Sequence, residues 1–187
     1  MAAGKRALVI EGPEPDDKFP VPPDKGFIIY AGEEVPRVSD FLVSPELREV
    51  GMALVDNCRV FAGLADRNFE FLWKRAGGKS KGRAVLGRCV KPSGLTKHYA
   101  CADWIVWAAA DHARDFEMTY WQVEALLFHE LKHCLLTTNS EGLTVPGLRG
   151  HDWEGFVDEV ERYGCWRPEM RLLGDAFGHA RQLALFG

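Results

Sequence analysis

TYWQVEALLFHELKHCLL, residues Thr119 to Leu136, combines a helix start with a dense apolar pattern. Thr119 and Gln122 match a capping box, in which each side chain hydrogen bonds the backbone of the other residue. The apolar residues that follow have helical spacing and fill much of the helix surface, which is typical of a helix inside a core. We therefore expect a buried helix over residues 120–136.

This predicted helix contains the pattern HExxH, with its histidines at 129 and 133. His129 and His133 are one turn apart, so both rings project from one helix face, about 6 Å apart at Cβ. Two imidazoles at that separation can bind one tetrahedral Zn²⁺ ion. Glu130 is placed to act as general base on a water that the metal activates. Because burying these polar side chains is costly without partners, the pattern predicts a zinc site.

A catalytic zinc ion needs a third protein ligand, and the sequence offers several. The spacing of the metzincins requires a histidine at position 139, and that position holds Asn139, so this class is excluded. His151 directly precedes a predicted helix over 152–163, and a helix start packed across the first helix could direct its imidazole at the metal. We choose His151 as the third ligand. The alternatives are Asp152, Glu154 and Glu159.

Helix and strand patterns continue on both sides of this segment. Ser44-Pro45-Glu46 is a helix start with a cap, a proline and an early acid, and it predicts a helix over 45–58. Alternating apolar residues predict strands over 69–73 and 84–90, which we expect to pair as a hairpin. A third strand over 104–109 could hold an extended peptide as an edge strand. We expect a loop over 137–150, which could include a short strand, and a helical tail from 168 to 187.

The bulk composition is that of an ordinary globular protein. The chain has 187 residues, of which 47% are apolar and 27% charged, with a net charge of −4, so it has no global positive field for nucleic acid. Its five cysteines include no CxxC pair, which favours a reducing compartment. No segment resembles a signal peptide or a membrane span, so we expect a cytoplasmic protein without a membrane partner.

The amino-terminal region differs from the rest in its proline content. Six prolines fall between residues 12 and 37, and this density favours an extended arm over a packed element. We therefore predict a proline-rich arm over residues 1–40 and one domain over residues 41–187.

Three segments together resemble a known family. They are HELKH at 129–133, RGHDWEGF at 149–156 and ERYG at 161–164. In this combination they resemble the phage metallopeptidase family, which is similar to the SprT/Spartan-type zinc proteases. The resemblance covers about residues 44–167. It implies an α+β fold, a small zincin-like domain whose short, mostly antiparallel sheet packs on the HExxH helix and further helices. It also implies His129, His133 and His151 as zinc ligands and Glu130 as the catalytic residue.

Peptide hydrolysis also needs a donor for the oxyanion. Tyr163 is our candidate, and His112 and Arg149 remain alternatives. The function predicted first is therefore a zinc-dependent metalloprotease with a protein or peptide substrate. One alternative is a zinc-binding interaction or anti-defence module that keeps the zincin scaffold without proteolysis. Another is a zinc hydrolase that acts on small amides.

A cluster of basic residues between 74 and 91 suggests one further partner. Lys79, Lys81 and Arg83 surround a glycine-rich turn and could contact nucleic acid. A solvated turn with ordinary surface charge would have the same sequence, so nucleic acid is the weaker of the two predicted partners.

Overall fold

The fold is taken from a computed structural model of the chain, which describes residues 17–30, 37–151 and 168–186. Contacts divide the chain into one unit of residues 15–149 and a second of residues 1–14 with 150–187. The described strands are β1 Ile28–Tyr30, β2 Arg37–Val38, β3 Phe41–Val43, β4 Phe69–Lys74, β5 Lys79–Ser80, β6 Arg83–Ala84, β7 Gly87–Val90, β8 Trp104–Ala109, β9 Cys134–Thr138 and β10 Thr144–Leu148. The described helices are α1 Pro45–Asn57, α2 Gly94–Ala100, α3 Ala110–Asp115, α4 Tyr120–Lys132 and α5 Pro168–Phe186.

Helix α1 begins where its sequence predicts. The Ser44 side chain caps it by accepting a hydrogen bond from the backbone N–H of Leu47 at 3.1 Å, and Pro45 occupies the first turn. The buried face of α1 includes Leu47, Leu54 and Val55. Gly51 allows α1 to approach the sheet closely, because a Cβ at this position would overlap the ring of Phe71.

Four strands form the central sheet, in the order β3-β4-β8-β7. Strand β4 pairs with β3 antiparallel and with β8 parallel, in register Phe69 to Trp104, and β7 pairs with β8 antiparallel. The predicted hairpin between residues 69–73 and 84–90 is therefore wrong, because β8 lies between these strands. The prediction of 104–109 as an edge strand is wrong for the same reason. In the described sheet the edges are β3 and β7.

One face of this sheet carries the core of the first unit. Phe71, Trp73, Trp104 and Val106 alternate along β4 and β8 and are almost completely buried. Helix α1 contacts β4, and α4 contacts β7 and β8, so both helices pack on the sheet. The predicted α+β class, with a small and mostly antiparallel sheet against the HExxH helix, is confirmed.

Helix α4 is shorter than predicted. It begins with the capping box of Thr119 and Gln122 but ends at Lys132, and a strand starts at Cys134. Strands β9 and β10 pair antiparallel, so the expected loop over 137–150 does include a short strand, β10, and its first residues belong to β9. The indole N–H of Trp104 donates to the carbonyl of Gly147 at 2.8 Å, which fastens this hairpin to the central sheet.

Part of the predicted proline-rich arm packs on the core. Phe19 and Phe27 are buried in the same apolar cluster as the sheet residues. A domain boundary at residue 40 stays a prediction. The predicted helix over 152–163 lies outside the described residues, and α5, in the second unit, falls within the predicted helical tail. None of the helices in the described ranges is both long and apolar enough to cross a membrane.

Candidate metal centre

The last turn of α4 presents the HExxH side chains. His129 is exposed, Glu130 is buried with only 5% of its surface exposed, and His133 is half-buried. The ring centroids of His129 and His133 are 5.2 Å apart, and the ring planes cross at 80°. His133 caps the helix with right-handed backbone angles, so the one-turn spacing of the two histidines is kept although the helix ends.

His133 is held by the end of β10 through two hydrogen bonds. The backbone N–H of Arg149 donates to the carbonyl of His133 at 2.8 Å. The carbonyl of Arg149 lies 2.7 Å from Nδ1 of His133. A carbonyl only accepts, so Nδ1 carries the proton and Nε2 presents its lone pair. This is the tautomer that a metal requires, fixed by a backbone acceptor as in many metal sites.

The third predicted ligand joins the same group. His151 follows Arg149 by two residues, so the chain cannot carry it far from His133. One ligand atom from each of His129, His133 and His151 lies within 4.8 Å of the others. Nitrogen donors around a tetrahedral zinc ion, with bonds near 2.0–2.1 Å, are about 3.4 Å apart. Three imidazole donors this close together could hold a metal ion.

Glu130 points from α4 to the edge strand of the sheet. Burial raises the pKa of Glu130 above its ordinary value, while His133, the backbone N–H of Cys89 and Arg88 act in the opposite direction. The N–H of Cys89 donates to the carboxylate. A Cβ at Gly87 would lie 3.1 Å from Oε1 of Glu130 and 3.0 Å from the carbonyl of Trp107. The carboxylate therefore occupies space that only glycine leaves open.

Two buried thiols flank this arrangement. Cys89 on β7 and Cys134 at the start of β9 have their Sγ atoms 3.5 Å apart. The hydrogen bond with the Cys89 thiol and burial raise the pKa of Cys134 far above its ordinary value. Cys134 therefore packs in the core as a neutral thiol beside the predicted ligand His133.

Sequence reasoning missed the backbone contributions to the site. Nothing in the pattern singled out Gly87, Cys89 or the carbonyl of Arg149. A glycine inside a strand often marks the close approach of another group, and this was the one available signal for Gly87. The roles of Cys89 and Arg149 come from backbone atoms, which every residue type possesses.

Other predicted site residues lie elsewhere. His112 forms a hydrogen bond between Nε2 and the carbonyl of Gly78 at 2.9 Å, at the base of the β5–β6 hairpin. Lys79, Lys81 and Arg83 are exposed on that hairpin. The remaining candidates lie outside the described residues. They are Asp152, Glu154, Glu159 and Tyr163.

Fold and site together define an α+β protein with a three-histidine group suited to a metal ion beside a buried glutamate. The chain belongs to the family described as Putative phage metallopeptidase, whose family model matches residues 39–176. This range contains His129, Glu130, His133 and His151. Comparisons with curated proteins and with solved structures found no match.

Proposed function

We propose that the protein is a zinc-dependent peptidase whose metal ligands are His129, His133 and His151. One observation carries the proposal. Three imidazole donors lie within 4.8 Å of one another, and the residue between the first two is a buried carboxylate. The membership in a metallopeptidase family supports the same reaction class.

The donor set favours zinc among the common metals. Three neutral imidazoles suit zinc, whereas calcium and magnesium prefer oxygen ligands. Three protein ligands also match a catalytic site, in which a fourth position stays open for water or substrate. A bound zinc ion would supply Lewis acidity to the scissile carbonyl and to the attacking water.

Glu130 supplies the proton transfers in this proposal. Its carboxylate accepts a proton from the attacking water and later gives it to the leaving amine. The N–H of Cys89 orients the carboxylate throughout. Tyr163 stays our proposed donor to the oxyanion.

The edge strand β7 is the proposed binding site for the peptide backbone. The backbone N–H of Ala109 donates to the carbonyl of Leu86, so the polar groups of Gly87 and Cys89 face away from β8 by the alternation of antiparallel pairs. A substrate strand added there would extend the sheet by pairing with Gly87 and with the carbonyl of Cys89, since the N–H of Cys89 is taken by Glu130. This edge passes directly beside Glu130, which supports β7 as the position of the scissile segment.

Zinc content and peptide cleavage test the proposal. We expect about one zinc ion per chain after metal-replete expression, and a marked loss in His151→Ala. Glu130→Gln should keep the metal but lower kcat/KM for a cleaved peptide by about 10²–10⁴-fold, because only the proton transfer is lost. The matched control is His98→Ala, which removes an exposed histidine and should change neither quantity.

The outcomes separate the competing functions. Absence of zinc from the wild type would overturn the whole proposal. Zinc retained in His151→Ala would assign the third ligand to Asp152, Glu154 or Glu159. A zinc-loaded protein that cleaves no peptide in a broad mixture would instead be the non-proteolytic zinc-binding module.

A further inference from the structure

Charge is strongly segregated along this chain. Residues 71–102 contain no aspartate or glutamate, although the chain has 27 acidic residues in total. The same segment holds eight of the 23 lysines and arginines. A local positive field therefore exists in a protein whose net charge is −4. The segment includes β7, the edge strand beside Glu130.

Exposed cations of this segment lie before β7, on it and directly after it in the sequence. The β5–β6 hairpin leads into β7, and its two-residue turn has positive φ at Lys81 and Gly82, as type I′ turns require. Its base is fixed to α3, since the N–H of Gly77 donates to Asp111 at 2.9 Å. We name the exposed basic residues of this region the cationic edge. Its members are Lys79, Lys81, Arg83, Arg88 and Lys91.

The members of the cationic edge lie outside the salt bridges that the described residues form. Ion pairs among the described residues involve Lys18, Arg75 and Arg114, which lie outside the cationic edge. Within the described ranges, no salt bridge joins a member of the cationic edge to a carboxylate. An anionic ligand would therefore not have to displace an internal partner.

Arg88 connects this surface to the proposed peptidase site. It stands between Gly87 and Cys89, pairs across the sheet with Trp107, and is exposed. It is also close enough to Glu130 to act electrostatically on that carboxylate. A substrate strand paired with β7 would place every second side chain on the face of Arg88, at a cross-strand separation of about 5 Å. An acidic side chain at that position would form an ion pair.

We propose that the protein selects acidic polypeptide segments as substrates, with Arg88 and the rest of the cationic edge as the specificity-determining residues. This inference rests on the proposed peptidase function and names its substrate class. A polypeptide fits better than nucleic acid because the cations follow a strand edge that can pair with a backbone. The aromatic ring opposite Arg88, that of Trp107, is buried and lies 4.7 Å from the Lys74 ammonium, so it offers no open face for a base.

Peptides that differ only in charge test this inference. A cleaved peptide is prepared with glutamate, glutamine or lysine at the positions flanking the scissile bond. For the wild type we expect kcat/KM to be about tenfold higher with glutamate than with glutamine, and lowest with lysine. The preference should shrink as salt rises, because exposed charges are screened. Arg88→Glu should reverse the order, and the control Lys25→Glu, an exposed lysine in another part of the chain, should leave it unchanged.

Binding provides a second readout that does not need cleavage. Fluorescence anisotropy with Glu130→Gln should rank the labelled peptides in the same order, and Arg88→Glu in that background should reverse it. A labelled single-stranded oligonucleotide is measured in parallel. We expect it to bind more weakly than the glutamate peptide.

Each result has one meaning. Cleavage without any charge preference would keep the peptidase function and overturn the acidic substrate class. Tight oligonucleotide binding that Arg88→Glu abolishes, with peptide charge having no effect, would make the cationic edge a nucleic-acid site and overturn the inference. A zinc-loaded protein that neither cleaves nor binds any peptide would overturn the proposed function together with it.

Discussion

A methyl group at position 87 would crowd three neighbours at once. The Cβ of Gly87→Ala would lie 3.0 Å from the Trp107 carbonyl, 3.1 Å from Oε1 of Glu130 and 3.2 Å from Cδ1 of Leu126. The carboxylate must then move by a few tenths of an ångström away from the position where the N–H of Cys89 holds it. We expect kcat/KM for a cleaved peptide to fall about threefold to tenfold, because proton transfer depends on this geometry.

A second glycine gives the control for this variant. Gly63→Ala adds a methyl group where no atom lies within 4 Å and should leave the kinetics unchanged. Zinc content should stay at the wild-type value in both variants. Full activity in Gly87→Ala would show that the position of the Glu130 carboxylate is not set by β7.

The buried carboxylate also gives the metal-free protein a pH dependence. Burial raises the folded-state pKa of Glu130 above its ordinary value, so between the unfolded-state and folded-state pKa values the folded chain binds a proton that the unfolded chain releases. Stability therefore falls as pH rises through the window. The free energy of unfolding of Glu130→Gln should lack this decrease, so its advantage over the wild type should grow with pH. Urea unfolding after chelation, from about pH 4 to pH 7, measures it. Parallel pH curves for the two proteins would contradict the prediction.

At the scale of elements, the end of α4 is the feature on which the site depends. The helix stops at Lys132, and the chain returns through β9 and β10 to bring Arg149 against His133. The hydrogen bond from Trp104 to Gly147 ties this hairpin to the sheet. The position of the His133 ring is thus set by the hairpin as well as by its own helix.

Trp104→Phe should therefore weaken zinc binding from a distance. The change leaves the buried carbonyl of Gly147 without its indole donor, which costs about 1–3 kcal/mol of unfolding free energy. A looser β10 would let the Arg149 carbonyl drift from His133, and we expect zinc affinity to fall about tenfold. Chelator competition measures the affinity, with Trp121→Phe at a half-exposed position as control. Unchanged affinity in a destabilised Trp104→Phe would separate the hairpin from the metal site.

The starts of α1 and α4 could be predicted, whereas α2, α3 and the end of α4 could not. Ser44 and Thr119 cap their helices through contacts within four residues, which the sequence displays directly. Cys134 and Leu135 continue the helical spacing of apolar residues, so the pattern favoured helix through 136. A strand forms there instead because it pairs with β10, which the hydrogen bond from Trp104 fastens to the sheet. Local propensity contains no information about such tertiary contacts.

At the scale of the whole molecule, metal binding and stability are coupled. At a free zinc concentration of a hundred times the Kd, zinc binding would add about 2.7 kcal/mol to the free energy of unfolding. For a chain of this size, each kcal/mol changes Tm by about 2–4 °C. We therefore expect chelation to lower Tm by about 5–11 °C in a calorimetric scan. His133→Ala should lose this response, and His98→Ala should retain it. An equal decrease in His133→Ala would mean that the zinc that stabilises the fold is bound elsewhere.

Strand pairing was the part of the molecule that sequence patterns could not supply. The alternation of Phe69, Phe71 and Trp73 predicts a strand with one buried face, and the structure confirms it. Alternation does not name the neighbouring strand, and the short basic turn between 74 and 83 suggested a local hairpin. In the structure, β4 pairs in parallel with β8, and parallel strands can be joined only by a longer crossover connection. The spacing of His129 and His133, by contrast, is local and visible in the sequence, and the assignment of these residues and His151 as metal ligands stays a prediction.

The thiol pair of Cys89 and Cys134 turns the opening of the site into a measurable rate. Both sulfur atoms are buried, so an alkylating reagent reaches them only when β7 or β9 separates from its neighbours. Cys101 is exposed and reacts without such an event, which provides the reference reaction within the same chain. With Cys58 and Cys165 replaced by serine, the slow phase of alkylation reports how often β7 or β9 separates from its neighbours, and a ligand that closes the site should slow that phase alone. The alkylation rate of the buried pair, relative to that of Cys101, thus measures the opening motion within a single chain.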